Sequence, residues 1–179
     1  MIARIWTIGH STRAIDIFIS LLCEHEIRLL ADVRSWPGSK RFPQFNKEAL
    51  SKSLKEHGIR YEHFPELGGR RKPRTESKNT AWRNASFRGY ADYMETKEFS
   101  KGIERLLDLT SAAGPAAIMC AEAVWWRCHR SLISDYLKIR GIEVIHILGP
   151  NKTEPHPFTS AAHLVNGTLS YASEADRLL

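Results

Sequence analysis

The run Ala116-Ala-Ile-Met-Cys120 does more than any other to limit what this chain can fold into. It follows Gly114-Pro115 and is apolar throughout, so it reads as a short strand covered on both faces. Close behind it come Glu122, Trp125, Trp126, Arg127, Cys128, His129 and Arg130. A helical period starts at once, with Leu132, Ile133, Tyr136 and Leu137 recurring until Gly141 stops them. A buried strand that ends in polar chemistry and feeds a helix is the ligand end of an open α/β sheet.

The rest of the chain repeats that alternation. Apolar runs at 2–8, 27–33, 59–64 and 142–148 read as four further strands. Between them, Ile15, Phe18, Leu21 and Leu22 mark one helix, with Thr12 as its N-cap. A second carries Ala49, Leu50 and Leu54, capped by Asn46 and closed by Gly58. Phe87, Tyr90, Ala91 and Met94 predict a third, and Phe99, Ile103, Leu106 and Leu107 a fourth. Pro155-His156-Pro157 reads as a Pro-rich connection, and Asn166-Gly167 between apolar residues predicts a hairpin. The expectation is a single α/β domain over 1–179, with a mostly parallel Rossmann- or flavodoxin-like sheet of about five strands flanked by helices. Residues 68–88 would form an inserted basic loop or lid, and 150–179 a C-terminal extension.

Composition narrows the function classes. Of 179 residues, 42% are hydrophobic and 26% charged, as in an ordinary soluble globular chain. No apolar run approaches the roughly 20 residues that span a bilayer, and the start lacks a signal-peptide pattern. Three scattered cysteines, Cys23, Cys120 and Cys128, make no disulfide framework, so the expectation is free thiols in a reducing cytoplasm. From Gly68 to Arg88 stand Arg70, Arg71, Lys72, Arg74, Lys78, Arg83 and Arg88 against Glu76 alone, so this stretch carries the whole net charge of +6. Such a surplus suits a phosphate-bearing partner, and it equally suits a solvated loop.

In a parallel sheet the C-terminal strand ends share one edge. Here they carry Gly9-His10-Ser11, Asp32 and Arg34, Glu66 to Arg70, Cys120 with Glu122, and His146. Arg127, His129 and Arg130 crowd the positive end of a helix dipole, which is unfavourable by a few tenths to about 1 kcal/mol each unless an anion sits among them. Ser11, Arg34, Arg70, Arg71, Cys128, His129 and Arg130 are therefore the expected phosphate-binding set. Glu122 and Asp32 are candidate acid/base groups, His10 a proton shuttle and Cys120 a nucleophile. The structural alternatives are ion pairs of Asp32 with Arg34 and Glu122 with Arg130. Trp36 and Trp125 are candidate base-stacking rings. No cofactor is expected. The Cys-x7-Cys spacing is unlike the close pairs of zinc sites, and a metal, if bound, would use Cys120, Cys128 and His129.

Five of these segments also resemble a known family. They are Thr7-Ile-Gly-His10-Ser11, Asp32-Val-Arg34-Ser35 with Pro37 and Ser39, Leu67-Gly-Gly-Arg70, Met119-Cys-Ala-Glu122 and Cys128-His-Arg130. Their order is similar to that in the family catalogued as domain of unknown function 488, with likeness from about Ile5 to Tyr171. The resemblance implies a compact α/β domain and assigns no reaction; Trp125-Trp126 stands where a polar loop is expected. The residues themselves predict an enzyme doing hydrolytic or glycosyl-transfer chemistry on a nucleotide or nucleic-acid component. The alternatives are a non-catalytic nucleic-acid-binding module and a thiol- or metal-dependent enzyme centred on Cys120 and Cys128. No membrane partner is expected, and oligomeric state is not legible.

Overall fold

A computed structural model describes residues 4–177. Six strands form one sheet: β1 (Arg4–Gly9), β2 (Leu29–Asp32), β3 (Arg60–His63), β4 (Ala116–Cys120), β5 (Glu143–Gly149) and β6 (Lys152–Pro155), in the order β3-β2-β4-β1-β5-β6. The first five run parallel, and β6 pairs antiparallel with β5 at the edge. Five helices flank the sheet: α1 (Ile15–Glu24), α2 (Lys47–Lys55), α3 (Ala85–Tyr93), α4 (Lys97–Ala113) and α5 (Arg130–Ile139). A two-stranded hairpin, β7 (His163–Val165) and β8 (Thr168–Ser170), turns through Asn166 and Gly167, both at positive φ as an Asn-Gly turn requires. This is a mixed α/β domain with a mostly parallel sheet. Among the described residues no helix is long and apolar enough to cross a membrane.

The strand order decides where the site lies. The β1-to-β2 connection passes β4 in one direction, and the β4-to-β5 connection passes β1 in the other. Crossovers of one hand that travel in opposite directions put their helices on opposite faces. Accordingly α1 and α2 pack with Ile8, Leu30, Ala117, Met119 and Ile147 on one face. On the other face α3, α4 and α5 pack with Ile5, Ala31, Ile118, Cys120 and Val144. The connections part between β1 and β4, and the crevice opens at the C-terminal ends of those two strands.

Several local expectations change. The first strand was expected from Ile2, which lies outside the described residues. Thr12 caps no helix: α1 starts at Ile15 behind an extended Ala14 with no side-chain cap. Asn46 does precede α2, but its Oδ1 accepts from the Ser39 amide at 2.5 Å and caps nothing. The stretch leading into the Pro-rich connection, expected as C-terminal extension, forms β6, a short polar edge strand paired antiparallel with β5.

The basic segment is tied down. Asp92, nearly buried on α3, accepts from the Arg74 amide, Ser77 Oγ and Asn79 Nδ2 at 2.6–2.7 Å. Gly89 lets the backbone at Arg71 lie on α3, since a Cβ there would come 2.1 Å from the Arg71 carbonyl oxygen.

Candidate functional site

At the β1–β4 opening lies a cleft of about 710 Å³. Gly9 sets its width: a Cβ on Gly9 would stand 1.8 Å from the Glu122 carbonyl oxygen, so only glycine lets β1 approach the loop after β4. The His10 and Ser11 amides then donate to the Cys120 and Ala121 carbonyls, both at 2.9 Å, extending the β1–β4 ladder past the sheet. Ser11 and Arg70, both lining the cleft, hold positive φ without being glycine, a strained geometry that clusters at functional sites.

Of the residues singled out from sequence, His10, Ser11, Arg34, Trp36, Arg70, Cys120, Glu122, Cys128 and His129 line the cleft. Asp32, Arg71, Trp125 and Arg130 do not. Asp32 is fully buried and grips Arg34 through Nε–H to Oδ1 at 2.9 Å and Nη2–H to Oδ2 at 2.6 Å, and Tyr61 Oη donates to the same carboxylate at 2.6 Å. Burial and Asp32 push the Tyr61 phenol up, so it stays protonated as a donor. Asp32 therefore positions Arg34 and is held away from any substrate. Arg71 stacks on Tyr93 with its guanidinium carbon 3.7 Å from the ring centre, and donates to the Gly68 and Pro65 carbonyls. Trp125 is buried flat against His146, ring centres 4.5 Å apart, with its Nε1–H on Glu154. The ring at the mouth is Trp36, 73% exposed, with Arg70 5.9 Å from its centre.

His10 is spoken for. Its Nδ1–H donates to the Ser11 carbonyl at 2.8 Å, and Arg34 Nη1 donates to Nε2 at 3.3 Å. Burial, with the Arg34 charge beside it, lowers its pKa to about 4. A neutral imidazole with both nitrogens engaged positions the wall and leaves no free site to shuttle a proton.

The floor is different. Cys120 at the end of β4, Cys128 before α5 and His129 bring one ligand atom each to within 4.8 Å of one another. His129 Nε2 meets the Val33 carbonyl at 3.0 Å, so it carries the proton and leaves the Nδ1 lone pair facing Cys128 Sγ at 3.7 Å. The ring is wedged between Gly69, where a Cβ would come 2.8 Å from Nδ1, and Tyr90 at 5.0 Å. Burial alone would raise the Cys128 thiol, but the Cys120 hydrogen bond and the Arg130 charge pull it well down. The same bond, helped by burial, pushes Cys120 up. Cys128 is thus the sulfur that ionises first.

Arg130 stands behind the floor, 1% exposed and with no carboxylate paired to it among the described residues. Nη2 donates to the Glu122 carbonyl at 2.5 Å and Nη1 to Thr7 Oγ1 at 3.2 Å; Nε has no partner among the described residues. From Thr7 a buried chain runs to His146 Nδ1 (2.7 Å), from His146 Nε2 to His156 Nδ1 (2.9 Å), and from His156 Nε2 to Asp135 (2.9 Å). Read as donations starting at Arg130, this chain ends on the Asp135 carboxylate, so the two buried groups stand at the ends of one relay. The alternative pairing of Glu122 with Arg130 is made by the Glu122 backbone, and its exposed carboxylate is left to the cleft.

Sequence reasoning missed Ser86, Phe87 and Tyr90, which line the cleft from α3. The apolar spacing of Phe87 and Tyr90 reads as core, and Tyr90 indeed is buried, with Oη on the Leu67 carbonyl at 2.7 Å. The only signal was position, directly after the basic segment.

The model of the family described as domain of unknown function DUF488 matches residues 14–137. That stretch holds four of the five recognised segments; Thr7 to Ser11 precede it. No curated protein matches the chain, and no solved structure does.

Proposed function

The chain belongs to the DUF488 family, which fixes no reaction, and from its cleft we propose an enzyme that hydrolyses or transfers a group of a phosphate-bearing substrate, a nucleotide or nucleic-acid component. One observation carries the reading: two thiols and an imidazole converge within 4.8 Å on the floor of a cleft that Arg34, Arg70 and Arg127 also line. Guanidiniums suit phosphate oxygens, which they meet with paired donors. Trp36 at the mouth suits a base, since stacking on an exposed ring contributes about 1–3 kcal/mol. Glu122, exposed in the same cleft, is the candidate base for water, and Cys120, Cys128 and His129 stand beside it where Asp32 was expected from sequence. A pure nucleic-acid-binding role resting on residues 68–88 has less support, because Arg71, Arg74 and Arg88 are bonded within the fold.

Calorimetric titration with inorganic phosphate and a nucleoside monophosphate tests this reading. Arg70→Ala should weaken both ligands, and Trp36→Ala only the nucleotide, by roughly tenfold. In a screen of nucleotides and short oligonucleotides, Glu122→Gln should lose turnover and keep binding. Failure of wild-type protein to bind either ligand would overturn the proposal.

A further inference from the structure

We infer that the floor of the cleft is a metal site, taking one zinc-class divalent ion on Cys120 Sγ, Cys128 Sγ and His129 Nδ1 and leaving a fourth position open toward the substrate. The three ligand atoms already lie within 4.8 Å of one another. Zinc bonds of about 2.3 Å to sulfur and about 2.0–2.1 Å to nitrogen at the tetrahedral angle put sulfur and nitrogen about 3.6 Å apart. The Cys128 Sγ to His129 Nδ1 separation is 3.7 Å, so that edge of the tetrahedron is preformed.

The supporting contacts are those a ligating group needs. His129 donates its other ring N–H to the Val33 carbonyl, which fixes tautomer and ring direction together. Gly69 leaves the ring room on the Nδ1 side. The Arg130 amide points at Cys128 Sγ at 3.5 Å, a contact that favours a thiolate there. Charge is consistent as well: two thiolates neutralise a divalent ion, and Arg130 is tied through the relay to Asp135. All three ligands line the cleft, so the open position faces substrate, as in catalytic sites with three protein ligands. The spacing in sequence conceals this, because the ligands come from a strand end and a helix start that only the sheet brings together.

The ion needs no substrate to be detected, so its test is independent of the proposed activity. Chelator-stripped full-length protein, kept reduced with a non-thiol reductant, is titrated with cobalt(II). The expected result is an intense thiolate-to-cobalt charge-transfer band that saturates at one ion per chain and is abolished by zinc. Cys23 is exposed on α1 and does not line the cleft, so Cys23→Ser should leave the band unchanged. Cys120→Ser and Cys128→Ser should each weaken cobalt binding on the order of a hundredfold or more, and His129→Gln at least about tenfold. Should the serine variants fail to fold, zinc-edge X-ray absorption of the wild-type chain still decides, with two sulfur neighbours and at least one nitrogen expected. No charge-transfer band at saturating cobalt, or fewer than two sulfurs on zinc, overturns the site. Metal binding without nucleotide affinity would instead remove the proposed function and leave the metal site standing.

Discussion

Replacing Asp135 by Asn isolates the buried relay. The carboxylate is fully buried, with Oδ1 accepting from His156 Nε2 and the Thr159 amide, both at 2.9 Å, and Oδ2 from Thr159 Oγ1 at 2.6 Å and Tyr171 Oη at 2.8 Å. An asparagine keeps the shape. Its least costly orientation puts the amide nitrogen at Oδ2, where the two hydroxyls can turn and accept, and its oxygen at Oδ1. What no orientation restores is the charge: Arg130 is left as a buried cation with no anion at the far end of its chain. Breaking a buried ion pair in direct contact costs about 3–5 kcal/mol, and here the two groups meet only through Thr7, His146 and His156. The turning of both hydroxyls argues for the low end, so Asp135→Asn should cost about 3 kcal/mol, a large share of a typical stability of about 5–15 kcal/mol. Tyr171→Phe removes one neutral donor and should cost about 1 kcal/mol. Urea unfolding followed by circular dichroism measures both. A loss under about 1 kcal/mol for Asp135→Asn, or no difference from Tyr171→Phe, would refute the charge argument.

Three further outcomes follow from the same contacts. Burial, with His156 and Arg130 adding to it, lowers the His146 pKa to about 2, so the unfolded chain binds a proton there below its ordinary value near 6.5 while the folded chain does not. His146 therefore subtracts stability as pH falls from about 6.5 toward 2, by about 1.4 kcal/mol per pH unit; His146→Gln should flatten the acid limb by that slope, and an unchanged slope would count against it. Gly9→Ala places a methyl where the Glu122 carbonyl oxygen already stands at 1.8 Å; it should cost about 3 kcal/mol or more and weaken cobalt and phosphate binding together, and a variant with wild-type stability would show that the β1–β4 approach is not tight. Asp92→Ala leaves the Arg74 amide, Ser77 and Asn79 without their shared acceptor; proteolysis should then cut within 70–80 well before the sheet unfolds, and equal resistance in both proteins would argue against Asp92 as the anchor.

By itself the sequence determined the alternation of buried strands and amphipathic helices, the Asn-Gly hairpin and the chemistry gathered at strand C-termini. Each is written in local periodicity and in residues whose backbone preference is strong. From these, nine of thirteen named site residues reach the cleft. Tertiary structure alone decided the rest. A carboxylate at a strand end reads the same whether it faces a cleft or an arginine, and only packing turned Asp32 inward onto Arg34 and left Glu122 outward. Trp125 and Trp126 are adjacent in sequence, yet the one-turn helix at 125–127 buries the first against His146 and exposes the second. Cys120 and Cys128 are separated by seven residues with nothing local to pair them. They meet because β4 lies beside β1, glycine at position 9 lets the loop close down, and α5 starts directly over the strand end. Strand order is a long-range property, settled by which faces can be buried together, and no window of the sequence records it.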